Sequence, residues 1–204
     1  MTEVIKAQDP DSGKIAADAL TRGGVIVYPT ETLYGIAAAA LDERAVDRVF
    51  RIKGRPKNMP IPLLVKDIDM LATVVEVNDR AFALAANFWP GALTLILNKK
   101  GNLPEVITAG TGKVAVRISG HNFVKSLFHY FNQPITSTSA NVSGGENLTN
   151  LDDIQRAFSE RVDLIIDSGN IPASKGSTIL DLTVNPPKIL RPGDIKEQEL
   201  KEYI

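Results

Sequence analysis

The chain has 204 residues and a formal net charge of -1, because 23 lysines and arginines nearly balance 24 aspartates and glutamates. This balance disfavours a broadly basic nucleic-acid-binding protein but leaves room for a local basic cleft. The absence of cysteine excludes disulfides, thiolate zinc sites and cysteine nucleophiles. With only two histidines, His121 and His129, a histidine-based metal site or a Ser-His-Asp triad is disfavoured as well.

Neither a secretory signal nor a membrane span is evident along the sequence. The first residues lack the apolar run of a signal peptide, and no stretch of about 18 apolar residues occurs. We therefore expect a cytoplasmic protein with no membrane partner. The sequence shows no repeat and no linker, so we expect one α/β domain over residues 1–204, with its core at about residues 8–193 and a short charged C-terminal tail.

Helix and strand patterns alternate along the chain. Apolar periodicity predicts helices at residues 11–22, 42–51, 68–73, 79–87, 121–131 and 150–158. Short apolar or alternating runs predict strands at residues 25–28, 63–65, 92–97, 113–118, 162–167 and 178–182, and a last strand that ends near Arg191. Several connections are too short for parallel crossovers. The predicted fold class is α/β, or α+β, with a twisted, mostly mixed β-sheet flanked by helices.

Lys53 and Arg55 stand at the exit of the second predicted helix. Gly54 and Pro56 break a helix, so both cations lie where the backbone can approach a ligand closely. Two cations on such a tight loop suit a phosphate or a carboxylate. The alternative is an ordinary helix C-terminus, in which cations in the last turn complement the helix dipole.

Three other polar segments allow both a structural and a ligand-binding interpretation. Residues 29–35, PTETLYG, follow a buried strand, either as a turn with capping threonines or as a strand-end loop that presents hydroxyls and one carboxylate. Lys113, Ala115 and Arg117 share one strand face, which could line an anionic pocket or face solvent at a sheet edge. Residues 136–143 hold five hydroxyls and an asparagine, which suits a capping loop or the binding of phosphate or sugar oxygens.

Six motifs, in order along the chain, resemble the YrdC-like threonylcarbamoyl-AMP synthase family of tRNA modification, in its short, single-domain type. The two that characterise the family are Lys53-Gly-Arg55 and Ser139-Ala-Asn141. The other four are the segments 29–35, 88–94, 176–179 and 190–193. Together they extend over nearly the whole chain, and the resemblance therefore implies the single YrdC-like domain of that family.

The resemblance implies an enzyme, a nucleotidyltransferase of the L-threonylcarbamoyladenylate synthase type. Its substrates would be L-threonine, bicarbonate or CO2, and ATP with Mg²⁺, and its products threonylcarbamoyl-adenylate and pyrophosphate. No tightly bound cofactor is implied, and the motifs name no metal ligand. A downstream transfer complex would then move the threonylcarbamoyl group to adenosine 37 of tRNA.

The resemblance also assigns residues to the two substrates. The positions that correspond to the nucleotide site are Lys53, Arg55, Lys113, Ser139, Asn141, Asn147 and Arg191. Those that correspond to the threonine site are Thr32, Arg117, Ser137 and Ser177. Lys53, Arg55, Ser139 and Asn141 are assigned to catalysis. A guanidinium such as that of Arg117 can bind a carboxylate through two hydrogen bonds.

Two departures from the family pattern concern the pocket. Many members carry an asparagine and a histidine where this chain has Met59 and Leu64. One side of the pocket is therefore expected to be less polar, which places more doubt on the threonine specificity than on the nucleotide site.

Two other functions compete with the synthase. One is a non-catalytic or differently specific YciO-type paralogue that binds double-stranded RNA or tRNA, which the net charge of -1 disfavours. The other is carbamoyl-adenylate chemistry of the hydrogenase-maturation type, which belongs to much longer chains with zinc-finger-like cysteines. The intact Lys-x-Arg and Ser-x-Asn motifs favour the synthase.

Overall fold

The computed structural model describes residues 2–101, 103–141 and 148–204. Its helices are α1 (Ser12–Thr21), α2 (Glu43–Lys53), α3 (Ile68–Val74), α4 (Asp79–Phe88), α5 (Glu105–Thr108), α6 (Asn122–Tyr130), α7 (Leu151–Phe158) and α8 (Glu197–Leu200). Its strands are β1 (Glu3–Lys6), β2 (Ile26–Pro29), β3 (Tyr34–Ala37), β4 (Leu63–Leu64), β5 (Leu93–Asn98), β6 (Lys113–Arg117), β7 (Ile135–Thr136), β8 (Thr138–Ser139), β9 (Leu164–Asp167), β10 (Thr178–Asp181) and β11 (Lys188–Arg191). Within these ranges no helix is both long and apolar enough to cross a membrane.

The strands of the described residues form two mixed sheets. The first has the order β1-β9-β2-β3-β8, and the second has the order β11-β10-β5-β6-β4-β7. Each combines parallel pairs, such as β2 with β9 and β5 with β10, and antiparallel pairs, such as β2 with β3 and β5 with β6. The predicted mixed α/β architecture is confirmed, and the structure adds that the strands are divided between two sheets.

The hydroxyl-rich run after residue 134 joins the two sheets. β7 belongs to the second sheet and β8 to the first, with Ser137 alone between them. The Ser137 N–H donates to the carbonyl of Pro62 at 2.7 Å, and Ala38 N donates to Thr136 Oγ1 at 2.9 Å. This crossing places polar residues at the seam between the sheets.

Helix α2 follows from local sequence rules. The carboxylate of Asp42 accepts hydrogen bonds from Arg44 N and Ala45 N and so caps the first turn. Apolar residues on one face of the helix are buried, namely Ala45, Val46, Val49 and Phe50. Gly54 then adopts a left-handed conformation with φ of 60°, which a residue with a side chain rarely adopts, and ends the helix. The predicted helix exit at Lys53 and Arg55 is therefore confirmed.

The sequence patterns do not predict β1, β3 and α5. β1 is mostly exposed and, among the described strands, pairs only with β9, so it shows no apolar alternation. β3 consists of residues YGIA, and its glycine and alanine have low strand propensity, but its backbone pairs with β2 and it is fully buried. Helix α5 is a single turn of four residues, too short for a periodic signal. In all three, tertiary contacts outweigh local propensity.

Candidate active site

A cavity of about 620 Å³ lies between the two sheets. One wall is a face of the second sheet, formed by alternate residues of three strands: Thr94, Ile96, Lys113, Ala115, Arg117, Ile179 and Asp181. The opposite side comes from the turn between β2 and β3 and from β8, including Thr30, Thr32, Tyr34 and Ser139. The predicted face of Lys113, Ala115 and Arg117 therefore lines a pocket, and β6 lies inside its sheet between β5 and β4.

The structure brings most of the predicted site residues together at this cavity. Those that line it are Thr32, Arg55, Lys113, Arg117, Ser137, Ser139, Ser177 and Arg191. Lys53 and Asn141 are not among the lining residues but lie directly behind Ser139. Asn147 lies outside the described residues.

Arg117 is held in one orientation by contacts around its guanidinium. Its Nε donates to the carbonyl of Gly91 at 2.8 Å, and its Nη1 donates to Thr32 Oγ1 at 3.0 Å. Its Nη2 lies 2.9 Å from Glu31 Oε1, and only 9% of the side chain is exposed. Nη2 is itself buried against Glu31, so the ion pair fixes the guanidinium, and it is the charge of Arg117 that the cavity presents to an anionic ligand.

Glu31 is a site residue that the family motifs do not assign. Its Oε1 accepts a hydrogen bond from Gly120 N at 3.0 Å, and its Oε2 accepts one from Ser119 Oγ at 2.5 Å. Burial raises the pKa of the Glu31 carboxyl, but the charge of Arg117 and these hydrogen bonds outweigh burial, and the net pKa is below its ordinary value. Glu31 is therefore an anion that fixes Arg117. The signal in the sequence is its place between two threonines after a buried strand.

Hydroxyl groups on both sides of the cavity are also held in place. The phenol of Tyr28 donates to Ser137 Oγ at 2.8 Å, and burial raises the pKa of Tyr28, which keeps the phenol protonated. Thr94 Oγ1 and Ser177 Oγ are 2.7 Å apart, and Arg191 Nη2 donates to Ser177 Oγ at 3.1 Å. These contacts aim the hydroxyls of Ser137 and Ser177 at defined positions on the cavity surface.

The cavity is strongly cationic although the chain as a whole is not. Four cations line it, Arg55, Lys113, Arg117 and Arg191, against the single carboxylate of Asp181 among the described lining residues. Burial lowers the pKa of Arg55, and burial together with the charge of Arg117 lowers that of Arg191. These shifts show that the cations are partly desolvated and repel one another, and an anionic ligand would relieve both costs.

Leu64, one of the two departures from the family pattern, lies beside Arg117. The two residues are register partners in the parallel pair of β4 and β6, so their side chains project from the same face. Leu64 is buried and lines the cavity. Met59 is instead 43% exposed, and it meets Arg55 through its backbone carbonyl, which accepts from Arg55 Nε at 3.3 Å. The apolar side of the pocket is thus next to the guanidinium of Arg117.

Lys53 is buried, and all of its hydrogen-bond donors are used within the chain. Its Nζ donates to the carbonyl of Ser139 at 2.5 Å, to the carbonyl of Asn141 at 2.9 Å and to Asn141 Oδ1 at 2.8 Å. An ammonium has three N–H bonds, and these three acceptors match them. In this structure Lys53 therefore shapes the Ser139–Asn141 turn, whose Ser139 lines the cavity.

The charge on Lys53 predicts a pH dependence of activity. Burial, followed by the charge of Arg55, lowers the pKa of Lys53 from 10.5 to about 8. Deprotonation of Lys53 directs a lone pair at one of the three acceptor oxygens and so weakens its hold on the Ser139–Asn141 turn. We therefore expect activity to fall as pH rises through about 8. Because the unfolded chain binds more protons between pH 8 and 10.5, this group makes the free energy of unfolding rise over that range. Loss of activity without loss of stability would distinguish the two effects.

The measurement is a pH profile of activity with a denaturation series at each pH. Lys53→Met is expected to be weakly active and to lack the step near pH 8. Lys57→Met is a matched control, because Lys57 is 67% exposed and pairs only with Asp47 among the described residues. A wild-type profile that stays flat from pH 7 to about 9.5 would contradict this role for Lys53.

The described residues contain no group of three or more His, Cys, Asp or Glu side chains that could hold a metal ion. The one carboxylate on the cavity surface, Asp181, already accepts hydrogen bonds from Thr183. These residues do not fit a resident metal centre. A divalent cation would have to reach the cavity together with the phosphates of a nucleotide.

An α/β fold with a cavity lined by four cations at the seam of two sheets is suited to bind an anionic ligand. The family model Sua5_yciO_yrdC, which carries the description "Telomere recombination", matches residues 18–193. Since this match covers most of the sequence, the chain belongs to the Sua5/YciO/YrdC family.

Three comparisons show the extent of the similarity. The chain is 39% identical to the threonylcarbamoyl-AMP synthase of Pyrococcus abyssi over 192 residues, which are 94% of this chain and 56% of that protein. The crystal structure of P. abyssi Sua5 complexed with L-threonine superposes with a TM-score of 0.93 at 36% identity, covering 100% of this chain and 61% of the other. The crystal structure of E. coli YciO superposes with a TM-score of 0.89 at 26% identity, covering all of both chains.

The chain thus spans little more than half the length of the P. abyssi protein that it resembles. The similarity to YciO extends over the whole length of both proteins.

Proposed function

We propose that the protein is a threonylcarbamoyl-AMP synthase, which joins L-threonine, bicarbonate or CO2, and ATP into threonylcarbamoyl-adenylate and releases pyrophosphate. The observation that carries this proposal is the cavity lined by Arg55, Lys113, Arg117 and Arg191, at one end of which Thr32 and Glu31 fix the guanidinium of Arg117. The printed names of the P. abyssi relative and of its complex with L-threonine support it. Because the cavity takes its walls from both sheets, we further propose that the whole chain acts as one YrdC-like domain.

The amino acid is proposed to lie at the Arg117 end. Its carboxylate would pair with the guanidinium of Arg117, which Glu31 fixes from the other side. The hydroxyls of Thr32, Ser137 and Ser177 would hold the rest of the amino acid. Leu64 offers an apolar surface in the same region, which suits the methyl group of threonine.

The phosphates are proposed to lie against Arg55, Arg191 and Ser139, with Lys53 and Asn141 shaping the turn that carries Ser139. The neutral amine of threonine adds to CO2 to form a carbamate and releases a proton to solvent. A carbamate oxygen then attacks the α-phosphorus of ATP, and the bond from that phosphorus to the leaving pyrophosphate breaks. Phosphoryl chemistry of this kind needs positioning and charge neutralisation more than covalent help, which a site without cysteine or histidine can supply.

Mg²⁺ is proposed to enter as part of the substrate, bound to the phosphates of ATP. It would supply charge neutralisation on the phosphate oxygens. The product adenylate is a reactive mixed anhydride, so we propose that a downstream transfer complex receives it and passes the threonylcarbamoyl group to tRNA. Direct binding of tRNA or double-stranded RNA by this chain is the competing proposal.

The decisive experiment measures ATP consumption and pyrophosphate release in labelled bicarbonate, with and without L-threonine. We expect release that depends on threonine and places the label in the adenylate product. Serine is the control, since one missing methyl group is worth about 1–3 kcal/mol and should lower the rate by about 10- to 200-fold. Pyrophosphate release without an amino acid would contradict the proposed order of steps, in which the carbamate forms before ATP is attacked. No release, together with salt-sensitive tRNA binding, would favour the RNA-binding paralogue.

A further inference from the structure

Asp181 is the one carboxylate among the described residues that line the cationic cavity. It ends β10 and is only 6% exposed. Its Oδ1 accepts hydrogen bonds from Thr183 N at 2.8 Å and from Thr183 Oγ1 at 2.5 Å. Its Oδ2 has Lys113 Nζ at 3.4 Å, a long contact that leaves acceptor capacity. One oxygen is thus anchored to the chain, and the other is weakly held at the cavity.

This carboxylate is ionised although it is buried. Burial raises the pKa of Asp181, but the hydrogen bonds from Thr183 and the charge of Lys113 outweigh burial and hold the pKa below its ordinary value. An ionised carboxylate accepts hydrogen bonds and donates none. Whatever part of a ligand contacts Oδ2 directly must therefore be a hydrogen-bond donor or a cation, which excludes a bare phosphate.

The strand register separates Asp181 from the end of the cavity with two arginines. Asp181 is level with Ile96, and Ile96 is level with Ala115. Arg191 is level with Ile179, two residues back along β10, which corresponds to about 7 Å. Along β6, Lys113 and Arg117 stand four residues apart, or about 13 Å. Arg117 and Arg191 therefore define one end of the cavity floor and Lys113 the other, and Asp181 lies between them, level with Ala115.

The floor on the Asp181 side is also partly apolar. Ile96 and Ala115, which are level with Asp181, line the cavity there and are half-buried. A threonylcarbamoyl-adenylate carries its carboxylate at one end, its phosphate in the middle and its nucleoside at the other end. The two anionic groups suit the arginine end. An apolar surface with one hydrogen-bond acceptor suits a base or a ribose.

We propose that Asp181 Oδ2 accepts a hydrogen bond from the nucleoside of the substrate nucleotide, and that this contact determines which nucleotide is selected and in which direction it lies. The donor is either a ribose hydroxyl or the exocyclic amine of the base, since both are neutral N–H or O–H groups. The inference rests on the proposed function only for the identity of the ligand as a nucleotide. It adds a specificity-determining residue that the family motifs do not assign.

The test compares nucleotide binding by the wild type and by Asp181→Asn in the full chain, using calorimetry without an amino acid. The amide oxygen of the introduced asparagine can keep the bonds from Thr183, while its NH2 group replaces the acceptor Oδ2. The probes are ATP, 2′-deoxy-ATP, 3′-deoxy-ATP, inosine triphosphate and inorganic tripolyphosphate. We expect wild type to bind ATP at least about 10-fold more tightly than the one analogue that lacks the donor, as for a hydrogen bond to a charged group.

In Asp181→Asn, we expect this discrimination to disappear and ATP binding to weaken about 10-fold. Tripolyphosphate should bind as well as before or better, because a negative charge has been removed from the cavity. If Asp181→Asn no longer binds ATP more tightly than the deoxy-ATP analogues, the donor is a ribose hydroxyl. If it no longer binds ATP more tightly than inosine triphosphate, the donor is the exocyclic amine. Thr183→Val is the matched control, because it removes one bond to Asp181 Oδ1 but keeps the acceptor Oδ2.

Three results would overturn the proposal. They are unchanged nucleotide discrimination in Asp181→Asn, an equal loss for tripolyphosphate and ATP, and the absence of nucleotide binding by the wild type. The proposed function fails separately: a wild type that discriminates among nucleotides but releases no threonine-dependent pyrophosphate would retain this site and lose the synthase assignment.

Discussion

Arg117→Ala is expected to raise the threonine concentration for half-maximal rate by about 100-fold while changing the ATP requirement only a few-fold. The reason is that Arg117 lines the proposed amino acid end of the cavity, where Thr32 and Glu31 fix its guanidinium. A hydrogen bond to a charged group contributes about 1.5–3 kcal/mol, and the upper value corresponds to about 100-fold. Steady-state kinetics with each substrate varied in turn is the measurement.

Folding of this variant has to be checked, because Glu31 loses its cationic partner. Arg117→Lys is the informative second variant: it keeps a positive charge near Glu31 but cannot reproduce the planar fork that meets Gly91, Thr32 and Glu31 together. We expect this variant to be as stable as wild type within about 1 kcal/mol and still to be impaired for threonine. Equal effects on threonine and ATP in Arg117→Lys would show that Arg117 does not select the amino acid.

Arg55→Ala is expected to lower kcat/KM for ATP by about 100- to 1,000-fold, the loss typical when one preorganised donor to a reacting group is removed. Arg55 lines the cavity, and its Nη2 donates to the carbonyl of Pro60 at 2.7 Å, which holds the guanidinium beside the cavity. The pKa of Arg55 is lowered by burial, so its charge is poorly solvated and interacts strongly with a phosphate. The measurement is initial-rate pyrophosphate release at varied MgATP.

The control for this variant lies on the same helix exit. Arg51 is exposed and does not line the cavity, so Arg51→Ala removes a cation from α2 without touching the site. We expect Arg51→Ala to keep wild-type kinetics. If Arg51→Ala and Arg55→Ala lowered kcat/KM equally, a general electrostatic effect would replace the proposed phosphate contact. Wild-type rates in Arg55→Ala would remove this residue from the site.

Several parts of the site could be predicted because they depend on neighbours in sequence. The exit of α2 depends on the Asp42 cap, an apolar face and Gly54, which all lie within one short segment. The face shared by Lys113, Ala115 and Arg117 follows from the two-residue period of a strand. What the pattern left open was whether that face met solvent or a cavity, because both environments accept the same alternation.

The direction of two charged side chains depended on contacts far away in sequence. The ammonium of Lys53 donates to the carbonyls of Ser139 and Asn141, more than 80 positions along the chain. Glu31 lies 86 positions from Arg117 and is brought to it by the packing of the first sheet against the second. No local pattern encodes such pairs, because a side chain at the end of an element can reach several partners.

The mixed α/β class, the predicted helices and strands and the residue types that gather at the site could all be inferred from the amino-acid sequence, since they follow from short-range periodicity, capping and recognisable motifs. The division of the strands into two sheets, and the cavity between them, emerged from the three-dimensional packing. The packing also decided which cations line the cavity and which, like Lys53, are hydrogen-bonded within the chain. It placed Asp181 among the residues that line the cavity. The physical reason is that strand pairing and burial are set by long-range contacts, and these fix both the solvation of each charge and the partners within its reach.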